Sequence, residues 1–287
     1  MKSWKFAVLF GALVGAALHA QNLPAPGEVI GRACEAAGGL RAFTNLGFLR
    51  AEMASTEVTQ DGKTFEKRKV LVFSATSIAP VRLEIPSVEV VAGDDGSGGW
   101  ALIKNQPDSR PTTTIMVKRM VTADAFPLTL PFSLNWPGVT VSGVTAATLD
   151  NTPTWRLSVT LARNFFHTPQ IATHWTVDVD QRTFQVLRAE SPYTDLGKGV
   201  VADGMRYTWA EFHSLQSVRL PTRQLVVGLD RDGKEKAHHR RDTIKWQRLS
   251  REQTAGLFEN PVPPEQRPKL PVGKPVSLPR QAPPPKP

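Results

Sequence analysis

Histidines, scattered acids, a glycine-rich turn and one cysteine are the residues of this chain that could do chemistry. His238 and His239 are adjacent, so in a strand they point to opposite faces and do not share one metal. Arg240 and Arg241 beside them repel a divalent cation, and the pair reads as a solvated strand edge. His167, His174 and His213 are scattered, with no His-x-x-x-His spacing on a helix. Metal sites want convergent carboxylate, imidazole or thiolate ligands, and nothing here supplies them. The turn Asp94 to Gly99 is glycine-rich like a phosphate loop, but no Gly-Lys-Ser/Thr follows and a strand comes next. It reads as a hairpin turn. No serine sits in a Gly-x-Ser-x-Gly elbow, and Ser191 and Ser214 have no base at a motif spacing. Asp178 with Asp180, and Asp230 with Asp232, frame turns and read as turn formers. Cys34 is the only cysteine, so it makes no internal disulfide. It lies in an Ala-rich helical run with no partner histidine marked, which favours a buried structural thiol over a catalytic one. The expectation is a protein without enzymatic activity, metal or cofactor.

What stands out instead is apolar bulk. Seven Trp and thirteen Phe accompany only two Tyr. Apart from those in the first twenty residues, they concentrate on strand faces and in the proline-punctuated segment Phe126 to Trp136. A sheet packed on such a cover makes an ordinary core; a sheet curled around it makes a cavity for apolar ligands. On periodicity alone the filled core is the better reading.

The elements that position these residues can be read in order. Val29, Ile30, Ala33, Cys34 and Ala37 fall on one face of a short helix that Gly38-Gly39 stops. A second short turn spans Leu40 to Leu46. From Phe48 the period becomes two. Arg50 to Gln60 and Lys63 to Thr76 form a hairpin around Asp61-Gly62, whose residues accept positive φ. Val81, Leu83 and Ile85 alternate with charges, and Val88 to Ala92 pairs with Trp100 to Lys104. Later strands repeat the grammar: Trp155 to Leu161, Trp175 to Val179, Phe184 to Glu190, Met205 to Trp209, Leu225 to Leu229 and Thr243 to Arg248. Short turns between alternating strands argue for an antiparallel meander with one apolar face. Thr112 to Val121 breaks the pattern with helical spacing, and the Phe126 to Gly138 segment is too proline-rich for a central strand. The two read as a helix and loop lying over the sheet.

The ends complete the organisation. Lys2 and Lys5 precede an apolar run from Phe6 to Leu18, and a small residue, Ala20, marks a cut. Residues 1–20 read as a cleavable secretory signal, its apolar run shorter than the roughly 20 residues that span a bilayer. Residues 21–260 form the β domain. Residues 261–287 are rich in Pro, Lys and Arg, without an aromatic residue, and read as an extended, solvated tail. The net charge of +9 can serve solubility or meet an anionic membrane surface. Export and the lack of any nucleic-acid motif exclude nucleic acid as a partner.

The order of these features resembles the LolA-like family of bacterial lipoprotein carrier and sorting proteins. The resemblance covers most of Gly27 to Pro261. It is carried by the opening Glu35-Ala36-Ala37-Gly38-Gly39-Leu40, the Gly93 to Trp100 turn, and Trp175-Thr176-Val177-Asp178 with Phe184-Gln185-Val186. Tyr207 to Phe212, Val218 to Arg223, Ile244-Lys245-Trp246 and Leu257 to Pro261 continue it in the family's order. The resemblance implies a mainly β fold with a few helices: a large antiparallel, unclosed β-barrel (a half-barrel) covered by short helices and loops. It implies a periplasmic, monomeric protein that binds a lipid or lipoprotein acyl chains between sheet and cover, and it raises the cavity above the filled core. Residues that would line the cavity are Met116, Met120, Phe126, Phe132 and Trp136 from the cover, with Trp155, Trp175 and Trp209 from strands. The alternative is an envelope scaffold or sensor that binds envelope proteins through the sheet and the Pro-rich tail.

Overall fold

A computed structural model describes residues 23–263 and 265, apart from 97, 109, 111–119, 122, 163–172, 193 and 196–200. The segment read as a signal, nearly all of that read as a tail, Met116 and His167 lie outside the described residues.

Two helices open the described residues, α1 (Pro26–Ala36) and α2 (Leu40–Thr44). Pro26 suits the first turn of α1, where its missing N–H costs nothing, and Glu28 complements the helix dipole. Val29, Ala33 and Cys34 are its buried stripe. At Gly38, with φ +108°, an added Cβ would lie 2.1 Å from the carbonyl oxygen of Ser217. Only glycine allows that approach, and Arg219 N–H donates to the Ala37 carbonyl beside it at 2.9 Å. The end of α1 is thereby stitched to a distant hairpin.

The strands follow as β1 (Phe48–Val58), β2 (Thr64–Ser74), β3 (Val81–Ile85), β4 (Val90–Asp94), β5 (Gly99–Ile103) and the short β6 (Gln106–Pro107). The helix α3, at 120–121 and 123–128, and a 3-10 turn at Phe132–Asn135 form the cover. Then come β7 (Val139–Leu149), β8 (Thr152–Leu161), β9 (Thr173–Asp180) and β10 (Val186–Ser191). Two-residue strands β11 (Thr194–Asp195) and β12 (Val201–Ala202) pair with each other. The last elements among the described residues are β13 (Gly204–Leu215), β14 (Val218–Leu229), β15 (Glu235–Leu249) and the single turn α4 (Arg251–Thr254).

Thirteen of these strands form one antiparallel sheet in the order β6-β5-β4-β3-β2-β1-β15-β14-β13-β10-β9-β8-β7. Strands β6 and β7 are its two edges, so the sheet is an unclosed half-barrel. The meander read from the sequence is present. The link no local pattern announces is β1 against β15, from Phe48–Leu249 to Val58–His239. It makes β15 a central strand and corrects the reading of His238-His239 as a solvated edge. His238 Nε2 lies 3.0 Å from Glu57 Oε1, and His239 Nδ1 contacts the Ala237 carbonyl at 3.0 Å.

The turns are one residue longer than the Asp61-Gly62 reading. Thr59 N–H donates to the Lys63 carbonyl, and only Gly62 of the loop has positive φ, +80°. Asp230 to Lys234 repeats the arrangement with Gly233 at φ +76°. This is a three-residue hairpin loop closed by glycine in the left-handed region. Val88, expected in a strand, belongs instead to a 3-10 turn, Pro86–Val88.

Asp180 and Asp230 are turn formers: Asp180 Oδ1 accepts from the N–H groups of Arg182 and Thr183, and Asp230 Oδ1 from those of Asp232 and Lys234. Asp178 is not. It is 1% exposed, accepts from Arg156 Nε at 2.7 Å and Arg188 Nε at 2.9 Å, and joins three neighbouring strands. Val262 is buried, so packing continues two residues past Asn260. Among the described residues no helix is long and apolar enough to cross a membrane.

Candidate ligand site between sheet and cover

Side chains of one strand face that lie directly opposite each other form transverse rows on the sheet. One row runs Leu157–Val177–Ala189–Tyr207–Val226–Arg240–Glu57. It is apolar on β8 to β14 and charged on β15 and β1. The next runs Trp209–Gln224–Asp242–Ser55. Further along β1 and β15 the same face carries Met53 and Ile244, then Ala51 and Trp246. The covered face is therefore apolar over most of its area and polar at one end.

The cover plugs much of the apolar part. Phe132 stacks on Phe43 of α2, with ring centroids 4.2 Å apart. Phe126 meets Trp175 edge-on at 5.1 Å, and Trp175 stacks on Tyr207 at 5.4 Å. Trp136 packs on Phe73 and donates its indole N–H to the Ala75 carbonyl at 3.1 Å. The proline-broken backbone of the cover is tied internally: Thr129 Oγ1 donates to the Ala125 carbonyl and Ser133 Oγ to the Phe126 carbonyl. These hydroxyls bond carbonyls at the C-terminal end of α3 and tie the following turn back to it.

Beside this packing lies a cavity of about 200 Å³. Its wall on the α1 side is a strip of alanine methyls, Ala33, Ala36 and Ala37. Such i, i+3, i+4 spacing puts the three on one helix face, and their small size leaves the room. Leu130 and Pro131 of the cover, the stretch Thr183, Phe184, Gln185 and Val186, and Trp209, Phe212 and Pro221 line the remainder. Phe184 holds a positive φ, +57°, with the Arg32 guanidinium 3.7 Å over its ring. Arg219 also lines it and rests 5.2 Å over the ring of Phe212.

Of the residues chosen from the sequence, Trp209 lines this cavity. Phe126, Phe132, Trp136 and Trp175 are buried in the core around it. Trp155 is partly buried against that core, and Met120 is 36% exposed at the start of α3. The alanine strip and Pro131 went unnoticed, because bulk draws attention in a sequence and the absence of bulk does not.

At the polar end, Asp124 descends from α3 onto the sheet. It is 3% exposed, with Oδ2 3.0 Å from Lys69 Nζ of β2 and Oδ1 2.7 Å from an Arg240 guanidinium nitrogen of β15. Arg240 Nε also bonds Asp242 Oδ2 at 3.0 Å. Burial opposes ionisation of Asp124, but the two cations outweigh it and hold its carboxyl below the usual range. For Asp242 burial wins over Arg240 and raises it. Burial likewise raises the Tyr207 phenol.

Cys34 is 2% exposed, with Asn135 Nδ2 3.6 Å from its sulfur. Burial pushes its thiol up to about 11. A thiol that is neither ionised nor reachable is inert. In native protein at pH 8, Cys34 should resist Ellman's reagent over hours and react stoichiometrically in denaturant. Among the described residues no three His, Cys, Asp or Glu side chains converge as metal ligands.

The architecture has relatives among solved structures. A LolA superfamily protein from Nitrosomonas europaea superposes with a TM-score of 0.50 at 12% identity, over 79% of this chain and 96% of that one. The fold is LolA-like. A DUF1329 family protein from Desulfovibrio piger matches at TM-score 0.50 and 10% identity, over 81% of this chain and 96% of that one. A putative outer membrane lipoprotein-sorting protein domain from Vibrio parahaemolyticus follows at 0.49 and 11%, over 78% and 96%. No family model matches the sequence, and no curated protein matches it significantly. The LolA-like likeness therefore rests on the path of the backbone. It spans nearly the whole of each neighbour and leaves about a fifth of this chain as its own addition.

Proposed function

We propose that this is a non-enzymatic protein of the bacterial periplasm that binds a hydrophobic ligand, an acyl chain of a lipid or lipoprotein, between its half-barrel and the helical cover. The observation that carries the reading is the alanine-walled cavity between α1, the cover and β13–β14. Its wall is largely apolar, and at about 200 Å³ it is smaller than the roughly 300–1,000 Å³ of drug-sized sites. That suits a single flexible chain, or part of one, better than a bulky ring. The LolA-like fold supports the same reading, because its sheet is left open and its concave side is covered rather than filled by a second sheet. The export signal read at residues 1–20 supports the compartment.

Ala36 lies at the exposed end of α1 with its methyl on the cavity. Ala36→Trp should fill the mouth without burdening the core. A fluorescent fatty-acyl probe titrated into the mature protein should bind saturably. The variant should weaken binding at least about tenfold, ~1.4 kcal/mol, at unchanged melting temperature. Equal affinity in both proteins would place the chain elsewhere.

A further inference from the structure

Gln224 is a polar side chain buried without a partner. It is 3% exposed, and neither its amide nitrogen nor its amide oxygen makes a hydrogen bond. Its cross-strand neighbour Trp209 shares the condition, its indole nitrogen buried and unbonded; next in the row the Ser55 hydroxyl and the Asp242 carboxyl, both buried, face each other. Two adjacent residues of the row thus leave donors and an acceptor unmet. Each such group costs about 1–3 kcal/mol of desolvation, so a cluster of them calls for a ligand or ordered water. Their position favours a ligand, since Trp209 belongs both to the row and to the cavity wall.

The chemistry of the missing partner follows from the row. Lys69 and Arg240, the buried cations next to it, already face Asp124 and Asp242. At the row an anionic group would meet two carboxylates whose neighbouring cations are already paired; the cavity's cation, Arg219, stands on its wall beside Phe212. What is unmet is mixed: donors on Trp209 and Gln224 and an acceptor on Gln224, beside the Ser55 hydroxyl and Asp242 carboxyl. A hydroxyl both donates and accepts, so neighbouring hydroxyls satisfy such a row where an anion or a cation cannot.

Resting on the reading of the cavity as an acyl site, we propose that the row Trp209–Gln224–Asp242–Ser55 is the subsite for a hydroxyl-rich, uncharged headgroup, a glycerol or a sugar, on the same ligand. The acyl chain lies along the alanine strip and the headgroup reaches past Trp209 toward β15. Asp124, held over the neighbouring row by Lys69 and Arg240, closes that end of the site.

The test compares amphiphiles with one common chain: a monoacylglycerol, an alkyl glucoside, the free fatty acid and its methyl ester, each competing with the fluorescent acyl probe on the full mature chain. The methyl ester reports on the acyl site alone. The monoacylglycerol or the glucoside should outcompete it by about tenfold, as two net hydrogen bonds would give, and whichever does so identifies glycerol or sugar. Gln224→Leu should abolish that preference and leave the methyl ester unchanged. It should also melt no lower than wild type, because it removes two unmet polar groups. Ser55→Ala should erode the preference partly, and checks the result if the leucine variant misfolds. Equal binding of all four amphiphiles, or a preference that survives in Gln224→Leu, overturns the headgroup site while leaving the acyl site standing. Preference for the free fatty acid overturns it in favour of an anion. Failure of every amphiphile, the methyl ester included, overturns both.

Discussion

Arg240→Met should destabilise the protein by about 3–5 kcal/mol. The magnitude comes from what the arginine leaves behind. Asp242 loses its one hydrogen-bonded cation, and Asp124 keeps only Lys69. Both carboxylates are 3% exposed, so water cannot replace the guanidinium. At ~2–4 °C per kcal/mol for a domain of this size, the midpoint of thermal unfolding should drop by roughly 10 °C. The cost belongs to the broken pair rather than to the presence of charge. Replacing Lys69, Asp124, Arg240 and Asp242 together by apolar residues of matching volume should recover most of it. A variant melting within about 1 °C of wild type would mean that the cluster is solvated, contrary to its geometry.

The same cluster sets an acid dependence. Asp124 has its carboxyl lowered in the folded protein relative to the unfolded chain. Its contribution is therefore fully present above the unfolded value near 4, and is lost as pH falls through the lower folded value. Asp242 is raised and acts with the opposite sign: its ionisation costs stability at neutral pH, and protonation relieves that cost. The wild-type advantage over Asp124→Asn in urea unfolding should be full at pH 7 and close below about pH 4. An advantage independent of pH from 7 to 3 would contradict the pairing.

Phe132→Ala should cost about 3–5 kcal/mol. Phe132 is 1% exposed, and its ring lies nearly parallel to that of Phe43, at 5°. The loss combines the transfer of the ring with a cavity that α2 and the proline-stiffened cover collapse into poorly. A double-mutant cycle with Phe43→Ala should return a coupling of about 0.5–1.5 kcal/mol for the stacked pair. Additive losses would show that the two rings are buried independently.

The sequence makes the local half of this structure legible. Period-two alternation located most of the strands, though not the edge strand β7, Asp61-Gly62 and Asp232-Gly233 marked turns, and prolines 127, 131 and 137 the cover. Those signals act over a few residues. What they missed is set by register between distant strands. Asp178 looked like a turn former because it sits two residues from Asp180, yet its partners Arg156 and Arg188 come from the strands on either side. Asp124, Lys69 and Arg240 are 55 and 116 residues apart in pairs and meet only once β1 closes on β15 under α3. His238 read as an edge residue for the same reason. The site followed suit: bulky aromatics marked the covered face, but the cavity is defined by three small alanines and by row neighbours of Trp209 that no spacing connects.

Mass spectrometry under native conditions, on mature protein recovered from its own cell envelope, tests the central reading most directly. An acyl-chain ligand should accompany the folded protein as a discrete added mass, released on unfolding and diminished in Ala36→Trp. Protein that arrives bare, and takes up no fluorescent fatty-acyl probe afterwards, would contradict it.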